Sequence, residues 1–250
     1  MKISFSRNSL ITTLAVLLIL FLWEFASRSM GSSQLLPGSA DTLKTFFGLL
    51  TKEGFLPSLG STILRGLIGF GIALVVSLLV GIPSGLSPSI DAFFSPFLVI
   101  IRSTPVISII LLALIWLRVE QVPVFIGFLT MFPILTTNLI EGMRSVDKGL
   151  ISMARVYKVK RTRIISEIYL PGTSPFLYSA LLTASGFGWR AIIIGEVLSQ
   201  PRFGIGSMMQ QAQSYLMVAE LISWTLVAII IGFLFEQIIK ITQKRLISWQ

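Results

Sequence analysis

GLIGFGIALVVSLLVGIPSGLSPSI, residues 66–90, runs for 25 residues between Arg65 and Asp91 without a charged side chain. An α-helix rises about 1.5 Å per residue, so about 20 apolar residues cross the hydrocarbon core of a bilayer. The stretch is long enough to do so. Its glycines, Gly66, Gly69, Gly71, Gly81 and Gly85, give it small residues against which a second helix can pack closely. Tight packing is the expectation for all five.

Charges punctuate the rest of the chain in the same way. Arg7 and Glu24 bound a charge-free run of 16 residues, Arg102 and Arg118 one of 15, Glu167 and Arg190 one of 22, and Glu220 and Glu236 one of 15. The pattern predicts an all-α polytopic membrane helix bundle with about six transmembrane helices, near 9–27, 62–86, 93–117, 122–141, 168–197 and 217–240. Residues 1–250 are read as a single transmembrane domain with its core at 62–240. The first apolar run, Leu10–Trp23, follows Lys2 and Arg7 as in a signal peptide, but Ala26-Ser27 is a weak cleavage site and the run reads as an uncleaved first helix. Irregularity is expected near Pro171 and Pro175 in the fifth span. Asp41–Leu50 reads either as a short amphipathic helix at the membrane surface or as an ordinary loop.

Composition agrees. The chain is 54% hydrophobic and 12% charged, whereas a soluble domain carries about 25% charged residues. It holds neither Cys nor His, which excludes disulfides, Cys or His metal ligands and His-based acid–base catalysis. No Gly-x-x-x-x-Gly-Lys-Ser/Thr loop occurs, so nucleotide is not held by that route. Asp41, Asp91 and Asp147 all fall in loops, which leaves a membrane enzyme or a proton-coupled secondary transporter little to work with. Transport by the isolated chain without ATP or a partner is the result that would favour that alternative.

The net charge of +9 reads as topology rather than nucleic-acid binding. Seven basic residues lie between Glu141 and Glu167: Arg144, Lys148, Arg155, Lys158, Lys160, Arg161 and Arg163. Short loops rich in Lys and Arg stay in the cytoplasm. With six spans both termini then face the cytoplasm too, in keeping with Lys2 and Arg7 at one end and Lys240, Lys244 and Arg245 at the other.

The loop at 142–167 is the most informative stretch. Asp147 is placed to cap a short helix on which Leu150, Ile151, Ala154 and Tyr157 follow helical spacing and form an apolar stripe. A second short helix over Thr162–Tyr169 is expected to end at Pro171. The stripe must cover itself on lipid headgroups, on the protein's own spans or on a partner.

This loop resembles the EAA loop of the permeases of ABC importers, whose pattern is Glu-Ala-Ala, a Gly four residues later, then Ile-x-Leu-Pro. Ala154, Ile168, Leu170 and Pro171 match; Ser152, Met153 and Lys158 depart from it. Leu35-Leu-Pro37, Arg102-Ser-Thr-Pro105, Phe132-Pro133, Gly195-Glu196, Gly204-Ile-Gly206 and Lys244-Arg-Leu-Ile-Ser-Trp249 resemble the sulfonate, taurine and nitrate permease group over about residues 32–250. The resemblance implies a type I ABC importer permease fold and a homodimer in the bacterial inner membrane. It also implies separate ATPase subunits that bind ATP and Mg, and an extracytoplasmic substrate-binding protein. It makes Leu150, Ile151, Ala154, Arg155, Tyr157 and Lys158 the coupling residues toward the ATPase. The cargo would be a small organic anion, although related permeases serve pyrimidines, thiamine precursors or riboflavin. The permease itself would need no cofactor.

Ionisable side chains at membrane depth are costly and face water or the protein interior. Arg102, Ser103 and Thr104 precede Pro105, which breaks a helix and frees backbone groups to line a pathway; alternatively Arg102 snorkels at the interface. Trp189 and Arg190 follow Gly186-Phe-Gly, with Arg190 either on the pathway or in an ion pair with another span. Glu196 is placed near the outer interface, as a structural group or a contact to the binding protein. Gly204 and Gly206 suggest a turn or re-entrant segment.

Overall fold

The structure, a computed structural model, describes residues 7–31 and 35–246. Lys2 and Trp249 lie outside the described residues, as do the side chains of Arg7, Lys244 and Arg245. Every described element is helical: α1 (Arg7–Met30), α2 (Ser39–Leu49), α3 (Phe55–Leu86), α4 (Pro88–Ser103), α5 (Val106–Trp116), α6 (Val122–Ser145), α7 (Lys148–Val156), α8 (Arg161–Ile164), a π-helical turn (Ile165–Tyr169), α9 (Leu170–Ser199), α10 (Ile205–Ser214) and α11 (Val218–Leu246).

Five helices are long and apolar enough to cross a bilayer: α1, α3, α6, α9 and α11. A sixth crossing exists if α4 and α5 are taken together, but they meet at an angle of 99°. The expected third span is therefore broken at Thr104-Pro105. Pro105 has no N–H to donate back into α4, and Thr104 stands in extended conformation at the break.

The bundle centres on α6, which packs most extensively against α9 and next against α3. Ala73 of α3, Met131 and Leu135 of α6, and Ala180, Ala184 and Ile192 of α9 form its buried core. Glycines set the distance. A Cβ on Gly127 would lie 2.6 Å from Ile192 Cγ1, on Gly195 2.9 Å from Pro123 Cα, and on Gly85 2.5 Å from Met143 Cβ. Gly71 has nothing within 4 Å. Of the five glycines between Gly66 and Gly85 it alone does not pack, because it sits on the outward side of α3. A polar link adds to the α3–α6 contact. Ser77 Oγ donates to the Phe132 carbonyl at 3.1 Å, and Thr136 Oγ1 donates to the Ser77 oxygen at 3.1 Å. Such links between membrane helices are worth about 0.6 kcal/mol each.

The outside of the bundle is apolar. Leu64, Leu67, Ile68, Val75 and Leu79 of α3 are exposed, as are Ile107, Leu111, Ile115 and Trp116 of α5, which suits a chain solvated by lipid. Of the two readings of Asp41–Leu50, helix and loop, the helix forms, as α2, and it packs on α11. Helix α1 stands at the rim, held where it leaves the membrane. Trp23 Nε1 donates to the Pro37 carbonyl at 3.1 Å, and the Glu24 carboxylate accepts from the Ser39 N–H and hydroxyl at 3.1 and 3.0 Å.

Pro171 does not end a helix. Residues 161–199 continue as one rod of 39 residues. The Leu170 N–H bonds to the carbonyl of Ile165, five residues back. That widened π turn places Pro171 in the first turn of α9, where a missing N–H has no cost. The irregularity expected near Pro175 does not occur, since α9 runs through it.

Gly127→Leu is expected to force α6 and α9 apart and lower stability by about 1–3 kcal/mol. Gly71→Leu is expected to change it by less than about 0.5 kcal/mol. Thermal unfolding of the detergent-purified protein distinguishes the two; equal losses would contradict the packing described.

Candidate translocation pathway and coupling loop

Residues from four distant stretches meet at the end of the bundle where α3 and α6 begin and α9 finishes. Glu196 of α9 has no exposed surface and Arg65 of α3 is nearly as buried. Arg65 Nη1 donates to Glu196 Oε1 at 2.6 Å and to the Phe203 carbonyl at 2.7 Å. The other terminal nitrogen, Nη2, pairs with Glu120 in the α5–α6 connection. Glu196 also accepts from Thr62 Oγ1 at 2.9 Å and from the Gly206 N–H at 2.9 Å. Thr62 Oγ1 in turn accepts from the Ile205 N–H at 2.8 Å. The carboxylate thus has a charged donor, a hydroxyl and a backbone amide, which is what a buried charge requires.

Glu196 keeps its expected place, three residues from the end of α9, and of its two readings the structural one fits; what the structure adds is its complete burial. Close packing around it explains why. A Cβ on Gly204 would lie 2.7 Å from the Glu196 carboxyl carbon, and one on Gly206 would lie 2.5 Å from the Ile193 carbonyl oxygen. The two glycines let the start of α10 close over the carboxylate: a non-helical stretch, 200–204, turns the chain into a ten-residue helix. The span-to-span ion pair considered for Arg190 belongs to Arg65 instead. Residue order does not announce the pair: Arg65 lies ten residues into α3 and Glu196 three residues before the end of α9, so counting from the helix ends does not put the two charges at one level.

The expected pathway residues divide between two cavities. Arg102 and Thr104 line one of about 170 Å³ at the α4–α5 break, with Thr130 and Pro133 of α6. Ser103 is exposed beside them and donates to the Ile100 carbonyl at 3.2 Å. Trp189 and Arg190 line another of about 580 Å³, between α9 and α11. Trp189 is buried, and its Nε1 donates to the Ala228 carbonyl of α11 at 2.9 Å. Arg190 lies over the Phe187 ring, 5.9 Å from its centroid. Among the described residues neither Arg102 nor Arg190 has an ion pair.

The loop lies at the other end of α6, about 36 Å away for a helix of 24 residues. Asp147 Oδ1 accepts from the Gly149 N–H at 2.7 Å and caps α7. The apolar stripe splits. Ile151 and Ala154 are 8% and 7% exposed and seat α7 on the bundle, whereas Leu150 and Tyr157 are 47% and 76% exposed. Arg155 is exposed, with Met153 and Val156. Lys158 stands at φ 52°, in the left-handed region. Its N–H bonds to the Arg155 carbonyl and the Val159 N–H to the Ala154 carbonyl, a Schellman closure that glycine favours.

A model of the family described as "binding-protein-dependent transport system inner membrane component" matches residues 73–248. The chain belongs to that family. The match covers α6, the loop and α9, and extends through nearly all of α11. This permease is 27% identical over 245 residues to the taurine transport system permease protein TauC of Escherichia coli, covering 96% of this chain and 88% of that protein. It is 23% identical over 235 residues to a putative aliphatic sulfonates transport permease protein SsuC of Bacillus subtilis, covering 93% and 84%. Against the bicarbonate transport system permease protein CmpB of Synechococcus elongatus it is 27% identical over 178 residues, covering 70% and 64%. The chain is the membrane-spanning permease component of an ABC importer, a translocation subunit.

Removing one partner of a buried ion pair strands the other charge and costs about 3–5 kcal/mol. Glu196→Gln and Arg65→Gln are each expected to destabilise the permease by an amount in that range. The double variant is expected to lose less than the sum, because no buried charge is left unpaired; Glu120, which also loses Arg65, is half exposed to solvent. Unfolding of the four proteins in one detergent measures the coupling; strict additivity would show that the pair does not act as a unit.

Proposed function

We propose that residues 1–250 work as a single permease domain that imports a small oxyanion, with both termini in the cytoplasm. Two copies form the translocation unit. Two ATPase subunits supply the work, binding ATP and Mg, and an extracytoplasmic binding protein delivers the cargo. The observation that carries this reading is the family match across the loop, together with the exposed face of α7.

On that face Leu150 and Tyr157 contact the ATPase, while Ile151 and Ala154 hold α7 against the bundle. Arg155 and Lys158 flank the contact. A push on α7 passes through Val146 to Gly172 at the base of α9. The two are close enough that a Cβ on Gly172 would lie 3.0 Å from Val146 Cγ2. Alternating access follows when α6 and α9 move with the loop. Two apolar side chains exposed on a cation-rich loop are an unfavourable surface unless a partner covers them, which supports docking there.

Taurine, aliphatic sulfonates and bicarbonate, the cargoes named for the relatives, share an oxyanion group. Arg102 and Arg190, cations without an ion pair among the described residues, supply charge of the matching sign. Ser103 and Thr104 add hydroxyl donors beside Arg102, and Trp189 positions Arg190 by anchoring α9 to α11.

Leu150→Asp combined with Tyr157→Asp is expected to abolish co-purification of the ATPase while leaving the unfolding temperature unchanged, because neither side chain is buried. Ile151→Asp is expected to lower that temperature as well. Undiminished co-purification by the double variant would overturn the coupling role of α7. In proteoliposomes with the full complex, Arg102→Gln is expected to reduce ATP-driven uptake of taurine, an alkanesulfonate or bicarbonate at least tenfold, the cost of about 1.4 kcal/mol in one charge-assisted contact. Retained uptake of all three would remove Arg102 from the pathway.

A further inference from the structure

Helix α7 has a second working side. Turned toward the base of α9, it encloses with α8 a cavity of about 450 Å³, within the range of about 300–1,000 Å³ usual for small-ligand sites. Arg155 of α7 and Arg161 of α8 line it from opposite sides. Ile164, Ile165 and Tyr169 supply the wall from the α8–α9 rod, and Leu86, the last residue of α3, closes it. The lining combines two exposed arginines with apolar side chains.

Three observations bear on what fits. Two neighbouring arginines are neutralised internally: Arg144 pairs with Asp91 at 2.8 Å and Arg163 with Glu167 at 2.7 Å, whereas Lys148, Lys158 and Lys160 have no ion pair among the described residues. Among the described residues Arg155 and Arg161 have no such partner, so the two guanidiniums lining the cavity lack an internal anion. Second, Leu86 ends one spanning helix and Tyr169 precedes another, which sets the cavity at the level where spans leave the hydrocarbon. Third, the cavity lies on a different side of α7 from Leu150 and Tyr157, neither of which lines it.

We propose that this cavity binds the headgroup phosphate of an anionic phospholipid, with Arg155 and Arg161 as its two clamps and the isoleucines against the glycerol and upper acyl chain. Guanidinium forks suit phosphate oxygens in a way that a single ammonium does not. Basic pockets between spanning helices at the membrane surface are suited to such headgroups. A free phosphate ion would meet the same two cations but would leave the half-buried Leu86 and Ile165 uncovered. An acidic segment of the ATPase would have to enter from the membrane side of α7. The lipid satisfies both halves of the lining, and it would steady the loop at the point where α7 meets α9.

The test uses the full-length permease in nanodiscs of dioleoylphosphatidylcholine with increasing dioleoylphosphatidylglycerol, followed by native mass spectrometry of retained lipid. Wild type is expected to retain phosphatidylglycerol over phosphatidylcholine. Arg155→Gln with Arg161→Gln is expected to weaken retention roughly 30-fold, at about a kilocalorie for each basic residue near a membrane surface. Lys148→Gln with Lys160→Gln, which removes the same charge outside the cavity, is expected to leave most of the retention intact. Arg155→Lys with Arg161→Lys keeps the charge and guards against misfolding; it is expected to fall between.

Equal losses in the two glutamine pairs would reduce the effect to a diffuse basic surface and overturn the site. Displacement of the lipid by millimolar inorganic phosphate would assign the cavity to the free ion instead. ATPase co-purification, measured on the same samples, separates the readings. Loss of ATPase with unchanged lipid retention in the Arg155/Arg161 variant would make the cavity a protein contact. Because Arg155 also flanks the ATPase contact, Arg161→Gln alone is the separating variant: loss of lipid with ATPase retained supports the proposal independently of the coupling role of α7, and unchanged lipid retention overturns the two-arginine clamp.

Discussion

The backbones of α6 and α9 come close because a small residue stands on one side or the other wherever they touch: Gly127 beneath Ile192, Gly188 beneath Met131, Gly195 against Pro123. In a bilayer the lipid tails are as apolar as leucine, so burying leucine on leucine gains little. Helices associate through dispersion at short range and through polar links. Close approach is therefore the source of cohesion rather than its consequence. It joins two rods that each run from the buried ion network to the basic loop.

The charges are sorted along those rods. At one end Arg65, Glu196 and Glu120 satisfy one another, with Thr62 and the Gly206 amide completing the shell. This is a structural clasp: it ties α3, α9, the α5–α6 connection and α10 into one corner. At the other end cations outnumber anions, and the loop presents apolar side chains among them. Between the two lie Arg102 and Arg190, which the protein leaves without an ion pair among the described residues. A charge left free at depth is expensive to retain, and under the function proposed here a passing anion would give both arginines a purpose that packing does not.

How much of this is legible from residue order differs from element to element. The spans, the capped helix at Asp147 and the amphipathic α2 follow from hydropathy and cap chemistry, which act locally. Residue order puts Glu196 near the end of α9 but does not show that it is buried, because burial depends on α10 folding back over it, which Gly204 and Gly206 permit but do not announce. Pro171 reads as a stop because a proline inside an α-helix loses a bond; the preceding π turn shifts the register and removes the conflict. The stripe on α7 reads as one face, and the bundle takes half of it.

Hydropathy adds up along a chain without regard to direction, so the number of spans, the lack of catalytic and nucleotide-binding motifs in the sequence, and the basic loop could be established from the residues in order. Pairings could not. Each residue turns a helix by about 100°, so which side of α3 carries Arg65, or which side of α7 carries Arg155, has meaning only once neighbouring helices are in place. The tertiary structure alone decided that Arg65 meets Glu196, that Ile151 turns inward while Tyr157 turns out, and that Arg155 and Arg161 share one cavity.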